Sequence, residues 1–157
     1  MGETFEVNSL EEMCSMMCDN VVPKRKKVDK LKVNKILGTM VGLAVGDALG
    51  VPVEFMNREQ IRNKYGVLDK MVGGGTWGQK PGATSDDTAM ALAVAEGIIK
   101  DPKFPVVPIG EKFIEWYSTR PFDVGIFCAS VIQKVMLMDK VDRWSWIRAA
   151  EEYREES

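Results

Sequence analysis

The run from Ser85 to Thr88, Ser-Asp-Asp-Thr, is where the residue types and spacing of this chain first suggest chemistry. Two adjacent carboxylates repel each other, and here they stand between hydroxyl side chains at the predicted start of a helix. Hard divalent cations prefer oxygen ligands of this kind. The alternative is that the carboxylates only compensate the helix dipole, which is worth ~0.3–1 kcal/mol for each charge. The dense grouping ahead of an apolar helix favours metal binding.

Three further acidic residues lie in settings that could serve a site. Asp47 interrupts an apolar helical run, and a carboxylate there must be paired, hydrogen-bonded or near a cation. Asp47 either holds the helix to the backbone of the following loop through hydrogen bonds, as a structural clasp, or takes a direct part in function. Glu54 follows Pro52 in a loop and is either at the rim of a site or an ordinary surface residue. Asp123 lies in a turn and is predicted to cap the next helix.

Composition narrows the chemistry further. The chain has 157 residues, of which 45% are hydrophobic, enough for one domain with a core. Its net charge of −2 makes nucleic acid an unexpected partner. Histidine is absent, which excludes Ser-His and Cys-His pairs and His-ligated zinc. The cysteines Cys14, Cys18 and Cys128 form no disulfide framework, which predicts a reducing, cytoplasmic location.

Residues 1–30 differ from the rest and are predicted to be an N-terminal extension or linker. Ser9 and Glu12 fit a capping box that opens a short amphipathic helix, and Pro23 ends it. The basic cluster at 24–27 is interpreted as a solvated linker, the alternative being contact with nucleic acid or anionic lipid. The segment has neither the basic start nor the apolar core of a signal peptide. Residues 31–157 form the predicted main domain.

The pattern of apolar residues predicts an all-α domain. Residues 32–50 are apolar nearly all round, with glycine at every fourth position from Gly38 to Gly50. This pattern predicts a buried helix that another helix approaches closely. A membrane span is the competing interpretation, but the apolar run at 36–45 is about half of the ~20 residues that a bilayer requires. Further helices are predicted at 57–65, 85–99, 111–118, 124–138 and 143–155, with irregular loops at 72–82 and 101–108.

Three motifs in this order resemble the ADP-ribosylglycohydrolase family, to which dinitrogenase reductase-activating glycohydrolases belong. They are the Gly42–Gly50 segment with Pro52 and Glu54, the Gly82–Met90 segment, and Phe122–Gly125. The resemblance covers about residues 34–130. It implies an orthogonal all-α helical bundle that binds two Mg²⁺ or Mn²⁺ ions. The implied reaction hydrolyses the glycosidic bond between ADP-ribose and a protein side chain or a related acceptor.

The resemblance also implies roles for individual residues. Ser85, Asp86 and Asp87 match metal ligands. Asp123 matches a catalytic aspartate beside the ribose, and Glu54 matches an acidic residue at the mouth of the site. The remaining positions support substrate or ligands: the backbone of Gly125 lies against ADP-ribose, while Asp47 and Thr88 stand behind the metal ligands.

One expected motif is missing from this sequence. Members of the family complete the metal site with a late Asp-x-Asp-Thr segment, and none follows Gly125 here. The chain is therefore interpreted as a truncated, N-terminal half of such a domain, with weak or no hydrolysis when isolated. The alternative is a non-catalytic binding or regulatory protein. Its half-domain would form a homo-oligomer or pair with a separate C-terminal half.

Overall fold

The computed structural model describes residues 29–156, and these contain six α-helices, one 3₁₀ turn and no strand. The all-α prediction is confirmed. The helix and basic cluster predicted within residues 1–28 lie outside the described residues. The elements are α1 (Lys30–Gly50), the 3₁₀ turn (Val51–Val53), α2 (Arg58–Tyr65), α3 (Asp86–Lys100), α4 (Val106–Ser118), α5 (Ile126–Met136) and α6 (Arg143–Glu156).

The chain divides into two compact units, Met1–Gly38 and Thr39–Ser157. Of the first unit the structure describes Asp29 and the opening turns of α1. The Asp29 carboxylate accepts a hydrogen bond from the backbone N–H of Leu31 at 2.9 Å, which satisfies a donor at the helix start. The domain boundary predicted between residues 30 and 31 stays a prediction.

The core of the second unit lies among α4, α5 and α6. Val131 and Val135 on α5 and Ala149 on α6 are buried together, and Ile114 and Trp146 pack against them. Val135 and Ala149 are fully buried, with 0% of their surface exposed. Helix α3 packs along α4 and so joins the start of α3 to this core.

Two glycines allow the helices of the second unit to approach closely. A Cβ atom at Gly97 of α3 would lie 2.6 Å from the backbone nitrogen of Ile109 in α4. A Cβ atom at Gly110 of α4 would lie 2.2 Å from ring atoms of Trp146 in α6. Both contacts are shorter than carbon side chains tolerate, so close helix packing requires glycine here.

The part of α1 in the second unit is exposed, so the predicted buried helix is wrong for the described residues. Val41 and Val45 retain 60% and 40% of their surface exposure. A Cβ atom at Gly42 or Gly46 would meet nothing within 4 Å, so no described helix uses the glycine stripe. The pattern shows where a partner can approach, but it cannot show whether the same chain supplies one.

The segment Lys30–Val53 is long and apolar enough to cross a membrane by length and composition, and 17% of its most apolar stretch is buried. The apolar run at 36–45 is only part of this helix, which is continuous over 21 residues. Core helices of soluble proteins can have the same length and composition. The carboxylate of Asp47 lies in this segment and is hydrogen-bonded to the start of α3.

Several helix boundaries differ from the predictions. Helix α4 begins at Val106 rather than near residue 111, because Pro108 falls in its first turn, where a missing N–H costs little. Helix α5 begins at Ile126 with Gly125 as its N-cap. The predicted capping role of Asp123 is therefore wrong. Asp142, which the sequence argument did not assign, accepts from the N–H groups of Trp144 and Ser145 at the start of α6.

The carboxylate of Asp47 clasps α1 to the start of α3. One oxygen accepts from the Ser85 hydroxyl at 2.8 Å. The other accepts from the Ser85 and Thr88 N–H groups at 2.9 and 3.3 Å, and from the Thr88 hydroxyl at 2.5 Å. The structure therefore shows the clasp, with the start of α3 as the partner of the helix.

The clasp changes the acidity of Asp47. Burial acts to raise the pKa of its carboxyl, but hydrogen bonds from Thr88 and Ser85 outweigh burial and lower the pKa below the ordinary 3.8. The charged form is therefore the stabilised one. This contribution is complete above the ordinary pKa and is lost as the pH falls through the lower, folded-state pKa.

We expect Gly97→Ala to destabilise the fold by roughly 1–3 kcal/mol, because its Cβ would press on the backbone of Ile109. Gly42→Ala is the matched control in an open helical position. It should stabilise the isolated chain by about 0.5–1 kcal/mol through helix propensity. Chemical denaturation of both variants measures the difference. Equal destabilisation would show that α1 is covered in solution.

We expect Asp47→Asn to destabilise the fold by about 1–3 kcal/mol at neutral pH, toward the lower value because the group is partly exposed. The difference from the wild type should shrink as the pH falls below the ordinary pKa of 3.8. Denaturation midpoints at several pH values measure this. Asp69→Asn, at an exposed position, is the control. A difference that stays constant in acid would contradict the charged clasp.

Candidate active site

A cleft of about 710 Å³ brings the predicted acidic residues together. Its walls come from the second half of α1, the turn after it, the start of α3 and the segment before α5. Among the described residues, five carboxylates line it and no lysine or arginine does: Asp47, Glu54, Asp86, Asp87 and Asp123. Positions far apart in sequence thus form one strongly negative surface.

The start of α3 holds the central residues of the cleft. Ser85 is the N-cap, and its hydroxyl oxygen accepts from the Asp87 N–H at 3.3 Å. This confirms the predicted start of a helix at that position. One oxygen of Asp86 accepts from the Gly125 N–H at 3.1 Å. That bond brings the backbone that precedes α5 to the edge of the cleft.

Asp123 has the most unfavourable electrostatic setting of the cleft carboxylates. Burial raises its pKa above the ordinary 3.8, and the negative charges of Asp86, Glu54, Asp87 and Asp47 raise it further. The side chain therefore keeps its proton to higher pH than an isolated aspartate. A carboxyl tuned in this direction suits proton transfer to or from a bound molecule.

Glu54 is held at the mouth of the cleft by a residue that the sequence argument did not assign. The indole N–H of Trp77 donates to a Glu54 carboxylate oxygen at 2.5 Å. The Trp77 ring also contacts Phe55 and Phe122, with centroid distances of 6.4 and 6.1 Å. The sequence offered one indication of this role, a tryptophan among the glycines of the 72–82 loop. Such a loop offers the ring no local apolar partner, so the ring must pack against another part of the chain.

Cys128 lies close enough to the cleft for the cleft carboxylates to affect the pKa of its thiol. Burial raises the pKa of the thiol, and the carboxylates of Asp86 and Asp87 raise it further. The thiol therefore stays protonated and weakly nucleophilic at neutral pH.

The donors present fit a hard divalent cation in kind and in charge. Ser85, Asp86 and Asp87 offer hydroxyl and carboxylate oxygens, and the surrounding negative charge lacks a cationic side chain among the cleft residues. They do not fill a coordination shell. No three Asp, Glu, Cys or His side chains within the described part of the chain converge closely enough to hold an ion. The chain's residues would therefore hold one side of a metal centre.

The structure brings the sequence-predicted residues into one region. The cleft is lined by Asp47, Glu54, Ser85, Asp86, Asp87, Asp123 and Gly125, while Thr88 is buried behind it as a partner of Asp47. Their proximity is structural fact, whereas their catalytic and metal-binding roles stay predictions.

Comparison with known proteins places the chain among relatives of named activity. It is 44% identical over 103 residues to an ADP-ribosyl-[dinitrogen reductase] glycohydrolase of Rhodospirillum rubrum, covering 66% of this chain and 35% of that protein. It is 36% identical over 112 residues to the ADP-ribosylarginine hydrolase Tri1 of Serratia proteamaculans, covering 67% and 28%. The Tri1 protein of Pseudomonas putida is 32% identical over 100 residues, covering 59% and 26%.

The matched part of these relatives is a quarter to about a third of their length. The sequence profile for ADP-ribosylglycohydrolases matches residues 28–154 of this chain, which include α1, the cleft and most of α6. The three motifs, the all-α architecture and this match agree, and the chain belongs to the ADP-ribosylglycohydrolase family.

Proposed function

We propose that this chain provides the acidic half of a metal-dependent hydrolase that removes ADP-ribose from a modified protein or a related acceptor. The observation that carries the proposal is the cleft itself, in which five carboxylates gather beside the start of α3 with no basic side chain from residues 29–156. Two relatives are named for hydrolysis of ADP-ribosylarginine and one for ADP-ribosyl-[dinitrogen reductase]. These names support an ADP-ribosylated protein side chain as the substrate.

Mg²⁺ or Mn²⁺ is the proposed cofactor, with Ser85, Asp86 and Asp87 as the ligands from this chain. Such a cation supplies charge stabilisation and positions hydroxyl groups and water. Asp86 already accepts from the Gly125 N–H, so its two oxygens can serve different partners. The Asp47 clasp orients the Ser85 hydroxyl proton toward Asp47, and the Asp87 N–H occupies one lone pair of the Ser85 oxygen, which leaves the other lone pair for a cation.

Asp123 and Glu54 are the proposed proton-transfer residues. Asp123 has a raised pKa because burial and neighbouring carboxylates oppose its charge, which suits a group that holds a proton near the glycosidic oxygen or nitrogen. Glu54 has one oxygen engaged by Trp77 and its other oxygen available to a bound molecule. The backbone of Gly125, beside Asp86, is the proposed contact for ADP-ribose.

We expect the isolated chain to bind Mn²⁺ weakly, with a dissociation constant of about 0.1–1 mM, as for sites with few oxygen ligands. Calorimetry on the wild type and Asp86→Asn measures this, and the variant should lose binding. Asp69→Asn, outside the cleft, should retain it. Release of ADP-ribose from an ADP-ribosylated protein should be slow or absent. Rapid release that Asp86→Asn abolishes would contradict an incomplete site and would support the reaction.

A second proposal concerns the partner of α1. Val41 and Val45 are exposed, and the neighbouring Gly42 and Gly46 offer a surface that another backbone can approach closely. In these relatives, the part that this chain does not match is about two to three times as long as the matched part. We propose that this face of α1 is covered by polypeptide corresponding to the unmatched part of those relatives, supplied within a longer chain or by a separate one.

We expect Val41→Glu to weaken association with such a polypeptide at least about tenfold, because a charge would be buried in an apolar contact. Val67→Glu is the matched control, since Val67 is 83% exposed and lies outside α1. Analytical ultracentrifugation of the chain alone and with the remainder of a family domain measures the effect. Equal effects of the two variants would contradict a role for α1. Self-association abolished by Val41→Glu would identify a second copy as the occupant.

A further inference from the structure

The glycine-rich loop between α2 and α3 lies directly on the turn that carries Glu54. A Cβ atom at Gly75 would be 2.7 Å from the Cα atom of Pro52 and 2.8 Å from the carbonyl oxygen of Val51. Gly75 also has a φ of +73°, a conformation that L-residues rarely adopt. The loop therefore can reach the turn only with glycine at this position.

Trp77 extends from this loop to two segments that contribute residues to the cleft. Its N–H donates to Glu54, and the adjacent Thr76 hydroxyl donates to the Glu54 carbonyl at 3.4 Å. Its ring also contacts Phe122, which directly precedes Asp123. One side chain thus touches Glu54 and the neighbour of Asp123.

The backbone beside Glu54 is strained. Phe55 has a φ of +63°, which is unfavourable for a residue with a Cβ atom, and 78% of its surface is exposed. Neither burial nor conformational preference explains a phenylalanine at this position. The contact of its ring with Trp77 is the interaction that the structure shows for it. Strain of this kind concentrates at sites where geometry must be held.

We propose that Trp77 is a positioning residue: its indole N–H holds the Glu54 carboxylate, and its ring packs against Phe122 to set the spacing between Glu54 and Asp123. The hydrogen bond goes to a carboxylate, the stronger class of acceptor, and restricts the rotation of a long side chain. The hydrogen bond is a property of the fold. Its consequence for turnover rests on the proposed function.

The variant that tests the proposal is Trp77→Phe, which removes the N–H donor and keeps an aromatic ring for Phe55 and Phe122. Trp144→Phe on α6 is the matched control, because Trp144 is half exposed and does not line the cleft. Glu54→Gln is the reciprocal variant, since it keeps the length of the side chain and removes the charge of the acceptor.

The first measurement is the indole N–H resonance of Trp77 in ¹⁵N-labelled protein, assigned by its loss in Trp77→Phe. We expect Glu54→Gln to shift this resonance and to accelerate its hydrogen exchange, whereas Trp144→Phe should change neither. A Trp77 resonance that is unaffected by Glu54→Gln would overturn the proposal. This measurement requires no enzymatic activity.

The second measurement is release of ADP-ribose by the chain together with the polypeptide that completes the domain. We expect Trp77→Phe to lower kcat about 10- to 100-fold with KM nearly unchanged, because misplacement of a reacting group affects the chemical step. Unchanged kcat in this variant would overturn the positioning role. If the wild type releases no ADP-ribose, the proposed function fails, and the resonance measurement still decides whether Trp77 holds Glu54.

Discussion

The carboxylate of Asp47 is the interaction on which the acidic cleft depends. A helix start leaves backbone N–H groups without partners, and Asp47 accepts two of them at α3 together with two hydroxyl protons. The position of Ser85 follows from this clasp. Asp86 comes next in the chain and accepts from Gly125, which places the segment carrying Asp123 at the same cleft. Three parts of the sequence are thus connected through successive hydrogen bonds that begin at one partly buried carboxylate.

The same arrangement gathers negative charge that the cleft residues do not neutralise. The raised pKa of Asp123, caused by burial and by the neighbouring carboxylates, is the direct consequence. Such repulsion between like charges opposes folding. The glycine-rich loop lies against the 51–53 turn and brings Trp77 to Glu54. Hydrogen bonds to Asp47 and to Glu54 therefore both hold residues of the cleft.

The proposed metal site and the exposed face of α1 would have a common explanation. The oxygen donors of the described residues do not complete a coordination shell, and the helix that forms one wall of the cleft presents Val41 and Val45 to solvent. Additional polypeptide against α1 would cover apolar surface and could supply the remaining ligands. The core among α4, α5 and α6 does not depend on such a partner, because its buried residues come from the described chain.

Much of this architecture was predictable from local patterns. The apolar spacing and the Ser-Asp-Asp-Thr start identified the all-α class and the N-cap of α3, since helix periodicity and capping depend on neighbouring residues. The boundaries of α4 and α5 were less predictable, because Pro108 and Asp123 each permit more than one local conformation. The partners of Trp77 could not be predicted from neighbouring residues, since Glu54 and Phe122 are 23 and 45 residues away.

The sequence by itself determined which residues could do chemistry: acidic and hydroxyl side chains, without histidine, in three motifs of one family. The tertiary structure decided which of them meet and in what environment. It showed Asp47 as a clasp, Asp123 among like charges, and Glu54 under the indole of Trp77. It also decided that the glycine stripe of α1 is exposed in the second unit. The physical reason is that hydrogen bonds, charge repulsion and burial depend on distances through space, which sequence spacing does not define.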